Sequence, residues 1–167
     1  MAIRPSPARD IARLVAELAS GDAPRRDSAA ARLTIIGTPA AARLAALAAD
    51  PAASPDARQA ALHTLAGIDA ARATAIATDA LADPSDIVAL EAIDVLAAAA
   101  HGDTAASTSA FEQLAELAFD PRQPAARRLG VLAALRGLPA HLLTPIDDAL
   151  AGAEGRTAFG DATSLEP

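Results

Sequence analysis

Apolar side chains recur along the chain three and four residues apart, the spacing that places them on one face of an α-helix. In the fullest example an Arg is followed three residues later by a small residue, and four residues after that by a large aliphatic one. Arg58, Ala61 and Leu65 form this pattern. It predicts an amphipathic helix that buries Leu65.

Three other stretches carry weaker copies of the pattern. The first has Ser in place of the Arg, the second has Ala there, and the third has Val as the small residue. These copies are Ser28-Ala31-Ile35, Ala89-Ala92-Leu96 and Arg128-Val131-Leu135. Their last positions, together with Leu65, are 30, 31 and 39 residues apart, which indicates a repeating helical unit. One such unit cannot bury its apolar face alone, so about three or more must stack.

Prolines mark where these helices begin and end. A hydroxyl residue before proline favours a helix start, because the hydroxyl caps the helix and the ring fits its first turn. An Asp-Pro pair favours a helix end, because the residue before proline is displaced from the α region. The predicted starts are Ser6-Pro7, Thr38-Pro39, Ser54-Pro55 and Thr144-Pro145, and the predicted ends are Asp50-Pro51, Asp83-Pro84 and Asp120-Pro121.

Periodicity and prolines together predict nine short helices arranged in antiparallel pairs. Their predicted ranges are 7–20, 24–36, 39–49, 55–68, 70–82, 86–100, 105–119, 124–136 and 145–151.

Residues 50–65, with partial copies at 83–96 and 120–135, resemble the HEAT-repeat superfamily, particularly its compact bacterial form, the phycobilisome-lyase-type HEAT-like repeats. The resemblance covers residues 8–151. It implies an all-α fold, a right-handed α-solenoid of four to five antiparallel helix pairs.

From this resemblance we expect a single domain over residues 1–151. Residues 152–167 are expected to form a tail that is flexible or caps the last repeat through Phe159 and Leu165. In such families the second helix of each pair lines a concave groove, which here would comprise the helices at 24–36, 55–68, 86–100 and 124–136. The resemblance also implies that Arg58 and Arg128 bind turn aspartates, with Asp50 and Asp120 as the candidates.

Composition narrows the chemistry that the chain could perform. Of 167 residues 50 are Ala, and there are 14 Arg but no Lys, Cys, Trp or Tyr. These absences exclude a thiolate nucleophile, a Schiff-base lysine and a phosphate-loop lysine. No helix carries the His-Glu pair of the HEAT-like di-iron hydroxylases, and the likeness to phycobilin lyases lies in the repeat alone. We therefore expect no metal and no cofactor.

Charge is segregated along the chain. Residues 73–121 contain nine acidic residues and no Arg or Lys, whereas residues 1–72 carry +2 and residues 122–167 are neutral, giving the net charge of −7 with His neutral. Such a surface attracts a basic segment, although solvated helix faces and turn residues explain the same acidic residues. The acidic residues are Asp79, Asp83, Asp86, Glu91, Asp94, Asp103, Glu112, Glu116 and Asp120.

His63 and Asp94 occupy the same place in consecutive copies of the repeat. Because packed helices lie about 8–10 Å apart, the two side chains could approach one another. A His beside a carboxylate suits a pH-sensitive contact or a general base. A zinc site needs three or four ligands, and neither His101 nor His141 has the required spacing. A polar groove residue is the simpler interpretation.

These observations favour a non-catalytic protein-interaction module or adaptor that binds a partner protein or basic segment. The predicted binding residues are His63, Asp86, Glu91, Asp94 and Arg127. The alternative is a lyase-like or regulatory subunit of an enzyme complex that binds a small ligand in the groove, and self-association is a third possibility.

The acidic centre and the missing Trp and Tyr argue against nucleic-acid binding. The first residues lack the apolar segment of a signal peptide, and no stretch is long and apolar enough to span a membrane. The sequence thus predicts a cytoplasmic protein.

Overall fold

The computed structural model describes residues 7–20, 22–102, 104–136 and 138, and within these ranges it contains helices and no strand. Each helix lies within two residues of its predicted bounds. The predicted helix at 145–151, the predicted contacts of Phe159 and Leu165, and position 103 lie outside the described residues. The helices are α1 (Pro7–Leu18), α2 (Ala23–Ile36), α3 (Thr38–Ala48), α4 (Pro55–Ala66), α5 (Ala70–Ala80), α6 (Asp86–Ala100), α7 (Ala105–Phe119) and α8 (Ala125–Leu135).

The three Asp-Pro pairs each follow a helix end, as predicted, and they share one turn geometry. In each turn the aspartate Oδ1 accepts a hydrogen bond from the backbone N–H two residues later, so the carboxylate takes the place of a helical acceptor. The three bonds are Ala52 N to Asp50 (2.9 Å), Ser85 N to Asp83 (2.8 Å) and Arg122 N to Asp120 (2.9 Å).

The hydroxyl caps were predicted correctly at one described position and wrongly at another. Ser54 caps α4, since its hydroxyl accepts from Ala57 N at 3.3 Å. Thr38 is the first residue of α3 rather than its cap, and Gly37 precedes it with φ at +74°. Gly adopts a positive φ without strain, so the chain turns at Gly37 alone. Gly37 therefore occupies the capping position, and Thr38 is already part of the helix. Ser6 and Thr144 lie outside the described residues.

The chain forms two compact units, Met1–Ala92 and Ile93–Pro167. In the first unit α1 packs on α2 and α3 packs on α4. Helices α1, α3 and α5 form one layer, and α2 lies beside α4 in the other. Since the helices of a pair are joined by only a few residues, they must run antiparallel. This two-layer packing of helix pairs is the arrangement predicted from the repeat. In the second unit α7 packs on α8.

The predicted apolar stripe is buried in three of its four copies. Ala61 and Leu65 are fully enclosed, as are the corresponding residues of α6 and of α8: Ala89, Ala92, Leu96, Val131 and Leu135.

The copy assigned to Ser28, Ala31 and Ile35 was wrong. Ile35 is 85% exposed, whereas Ala29 and Leu33 are fully buried. The pattern in α2 is therefore Arg26, Ala29 and Leu33, which matches the full Arg-small-aliphatic motif. A run of three alanines and three nearby aliphatic residues let two registers fit the same sequence.

Alanine supplies many of the buried side chains between the helices of the first unit. These alanines are fully buried between helices. Because the alanine side chain is a single methyl group, helix backbones can approach closely where larger side chains would separate them. The fully buried alanines are Ala29, Ala40, Ala41, Ala57, Ala61, Ala73, Ala77, Ala89 and Ala92. None of the helices in the described ranges combines the length and the apolar character needed to cross a membrane.

Candidate functional site

Three polar side chains meet on α4 and α6 within the first unit: Gln59, His63 and Glu91. Gln59 and His63 are four residues apart, so α4 presents them on one face. Glu91 lies on α6 and accepts from both of them. We call these three residues the α4–α6 cluster.

The carboxylate of Glu91 is held at both oxygens. Its Oε2 accepts from the Gln59 amide, and its Oε1 lies 2.9 Å from His63 Nδ1. The Glu91 side chain is only 10% exposed, whereas that of His63 is 74% exposed. A largely buried carboxylate thus holds a histidine ring whose outer part faces solvent.

This contact determines which nitrogen of His63 carries the proton. An ionised carboxylate only accepts hydrogen bonds, so Nδ1 must be the donor. In the neutral ring Nε2 is then the unprotonated nitrogen, free to accept a proton or a hydrogen bond. An oriented histidine of this kind can act as a general base or as a recognition group.

Next to the cluster, Arg58 hydrogen-bonds Asp83, and the two side chains are 10% and 11% exposed. Arg58 therefore binds a turn aspartate, as predicted, but this aspartate is Asp83 and not one of the candidates Asp50 and Asp120. Asp50 is exposed and accepts from its own turn. The arginine of one helix pair therefore binds the turn of the next pair, and not the turn of its own.

A second arginine contact follows the same direction. Arg26 is at the corrected motif position of α2, and its Nη2 lies 3.5 Å from Oδ2 of Asp56 at the start of α4. Its Nη1 donates to the carbonyl oxygen of Ser20 at 3.0 Å. The motif arginines of the first unit thus connect successive pairs. The sequence contained this signal, but the misplaced register in α2 concealed Arg26.

The other predicted binding residues have different environments. Asp86 and Asp94 are exposed on α6. The hydrogen bond of His63 goes to Glu91, which precedes Asp94 by three residues. Gln59 was missed because a lone glutamine carries no spacing signal until its carboxylate partner is known.

Arg127, one of the predicted binding residues, is buried, with 7% of its surface exposed. It immediately precedes the motif position of Arg128, as Ala57 precedes Arg58 in α4, and Ala57 is also buried. The position before the motif arginine is therefore buried in both helices.

The described residues contain no group of three or more His, Cys, Asp or Glu side chains arranged to hold a metal ion.

A groove between α1 and α2 is the second notable surface of the first unit. It encloses about 310 Å³, and its lining combines aliphatic side chains with one acid and one base. The acid, Asp10, lies 3.4 Å from Arg13. Hydrogen bonds to Glu17 and Asp10 raise the pKa of Arg13 above its usual value. The lining residues are Asp10, Leu14, Arg32, Ile35 and Ile36.

No family model matches the sequence, and no curated protein matches it. Among solved structures, three chains match. One belongs to the complex of CpcE and CpcF of phycocyanin lyase from Nostoc sp. PCC7120, with a TM-score of 0.67 and 23% identity, over 91% of this chain and 96% of that chain. At this identity the likeness concerns the fold. Together with the helices of the described residues, it confirms the predicted all-α fold.

The same comparison corrects the prediction of a protein without catalytic activity. That prediction treated the repeat as a binding scaffold alone. The fold, over nearly its full length, occurs in a lyase complex. This fold is therefore no argument against an enzyme subunit.

Proposed function

We propose that this chain is a lyase-like subunit that acts in a complex with a second protein. The observation that carries the proposal is the fold match, which extends over 91% of this chain and 96% of a chain from a two-protein lyase complex. The match covers nearly all of both chains, so the resemblance extends over the whole fold and is not limited to one shared motif.

The α4–α6 cluster is the surface on which we place the contact with substrate or partner. His63 is exposed but its ring is fixed by Glu91, and Glu91 is in turn fixed by Gln59. A side chain held in one orientation loses less entropy on binding than a free one. Asp86 lies exposed on the same helix as Glu91, within the first unit. In the regulatory alternative, the chain binds a small ligand beside His63.

Complex formation is the first test. The purified chain is mixed with the HEAT-like chain encoded nearest to its own gene, and sedimentation velocity measures whether a stoichiometric complex forms. The complex is then assayed for lyase activity on phycocyanin. We expect a complex, and an activity that neither chain has alone. Failure of every such pair to associate would overturn the proposal.

The role of the cluster is tested by His63→Ala within that complex. We expect at least a tenfold loss of activity or of partner affinity, because the oriented ring is removed. His101→Ala is the matched control, since His101 is exposed at the end of α6 and hydrogen-bonds its own helix through Ala97. Equal effects of the two substitutions would exclude a specific role for His63.

A finer proposal concerns the partner's chemistry. Residues 73–121 contain nine acidic residues and no Arg or Lys, which favours a basic segment as the bound element. Affinity should then fall between low and physiological salt, because ions screen exposed charges. A partner that is acidic throughout its contact segment, or binding that is indifferent to salt, would contradict this.

A further inference from the structure

Ile35 is the most exposed of the large apolar side chains in the described residues, at 85%. It does not contribute to the core, because the buried positions of α2 are Ala29 and Leu33. A single exposed aliphatic side chain is ordinary on a protein surface, whereas a contiguous apolar surface more often marks a binding site. The neighbours of Ile35 therefore decide whether it has a role.

Ile35 lines the α1–α2 groove together with two other aliphatic side chains, Ile36 and Leu14. Leu14 is fully buried and Ile36 is partly exposed, so the apolar surface continues from the interior of the groove to its rim. The groove volume of about 310 Å³ is at the lower end of the range for small-molecule sites, about 300 to 1,000 Å³. The groove therefore has room for a small apolar ligand.

The groove also contains a positive charge that has no ion-pair partner in the described part of the chain. Arg32 lines the groove and is exposed, and within the described residues its side chain forms no ion pair or hydrogen bond. The single acid of the lining, Asp10, lies 3.4 Å from Arg13 of its own helix, and Arg13 also hydrogen-bonds Glu17. Asp10 is thus paired along α1, whereas the N–H groups of Arg32 are available to a ligand.

The apolar and the charged parts of the groove are one helical turn apart. Ile35 and Ile36 follow Arg32 by three and four residues, a spacing that brings the Cβ atoms of a helix to about 5–6 Å of one another. A ligand that occupies both parts must therefore carry a negative group close to an apolar chain. An aliphatic carboxylate meets this requirement, since its oxygens accept two parallel hydrogen bonds from a guanidinium and its chain covers aliphatic side chains.

We propose that the α1–α2 groove binds a small aliphatic carboxylate. The carboxylate pairs with Arg32, and the hydrocarbon chain lies against Leu14, Ile35 and Ile36. An aliphatic ammonium ion would require Asp10, which Arg13 already engages. The groove shares no residue with the α4–α6 cluster, so this binding goes beyond the lyase-like function and does not depend on it.

Binding is measured with the full chain by ¹H–¹³C NMR of its isoleucine methyl groups. The probe is octanoate, and three further probes separate its parts: octanol has the chain without the charge, acetate the charge without the chain, and octylammonium the opposite charge. We expect octanoate to shift the signals of Ile35 and Ile36, with an affinity about tenfold above that of octanol or octylammonium, because a charge-assisted hydrogen bond adds to the apolar contact. Acetate should leave these signals in place. Equal or tighter binding of any of the other three probes, or no shift with octanoate, overturns the proposal.

Substitutions then test the two parts of the site, with affinities measured from the Ile36 signal. Arg32→Gln should lower the octanoate affinity about tenfold and leave the octanol affinity unchanged. Arg43→Gln is the matched control, since Arg43 is exposed on α3 and does not line the groove. Ile35→Ser should weaken octanoate and octanol alike, whereas Ile87→Ser, at an exposed position of α6, should weaken neither. All four replaced side chains are exposed, so each variant should fold, as circular dichroism will check. Equal losses in a variant and its control overturn the proposal.

Discussion

The guanidinium of Arg58 on α4 hydrogen-bonds the carboxylate of Asp83, 25 residues later in the chain, and both side chains are almost fully buried. Asp83 also accepts from Ser85 N in its own turn at 2.8 Å. The Asp83 carboxylate therefore closes the turn of its own helix pair and also binds Arg58 of the preceding pair. Such a contact determines the spacing of neighbouring pairs as well as their stability.

Replacing Asp83 with Asn should lower the free energy of unfolding by about 2 to 3 kcal/mol, because Arg58 keeps its buried charge and loses the opposite one. The Asn oxygen can still close the turn. Asp50→Asn is the matched control, since Asp50 makes the same turn bond at 2.9 Å while its carboxylate is exposed. It should cost less than about 0.5 kcal/mol. Urea unfolding followed by circular dichroism measures both.

Equal losses in the two variants would mean that the turn, and not the ion pair, provides the stability.

Leu65→Ala should destabilise the chain by about 2 to 4 kcal/mol, because Leu65 is fully buried and its removal leaves a cavity. Leu129→Ala removes the same atoms from a side chain that is 51% exposed, and should cost less than about 0.5 kcal/mol. Thermal and urea unfolding of both variants give the difference. Similar values for the two would show that the repeat stripe does not form the core.

The helices could be predicted closely from the sequence because independent local signals agreed. Around Leu65 the period, the Ser54-Pro55 start and the motif arginine all indicated the same helix, and the structure confirms its beginning at Pro55. In α2 the period was ambiguous, since Leu33 and Ile35 are both aliphatic and alanine occupies every candidate small position. Only packing against neighbouring helices selects Leu33.

The candidate site was less predictable because it depends on how two helices are offset. His63 and Glu91 were both identified, but equal positions in the repeat paired His63 with Asp94. The structure places Glu91 opposite the gap between Gln59 and His63. The offset between two packed helices is not encoded in the spacing of apolar positions within either helix, so sequence spacing could not reveal that Glu91 accepts from His63.

Ser54→Ala should cost about 1 kcal/mol, because α4 loses the side-chain acceptor for its Ala57 N–H. Thr38→Ala should change stability by less than about 0.5 kcal/mol, because Thr38 is exposed and makes no capping bond. Both variants replace a hydroxyl residue before proline, so the sequence context is matched. Unfolding in urea distinguishes them, and a larger loss at Thr38 would contradict the cap assignment.

The hydrogen bond to Glu91 should keep neutral His63 protonated at Nδ1, the tautomer that is usually the minor one in free histidine. Long-range ¹H–¹⁵N spectra of the imidazole rings, recorded at a pH where the rings are neutral, report which nitrogen carries the proton. In Glu91→Ala the acceptor is gone, so His63 should revert to the Nε2-protonated form. His101 provides an internal control, because its Nδ1 lies 2.9 Å from the Ala97 carbonyl oxygen, which can only accept. Its tautomer should be the same in both proteins. If His63 is Nε2-protonated in the unsubstituted chain, Glu91 does not orient the ring, and the site loses the feature that distinguishes it from an ordinary exposed histidine.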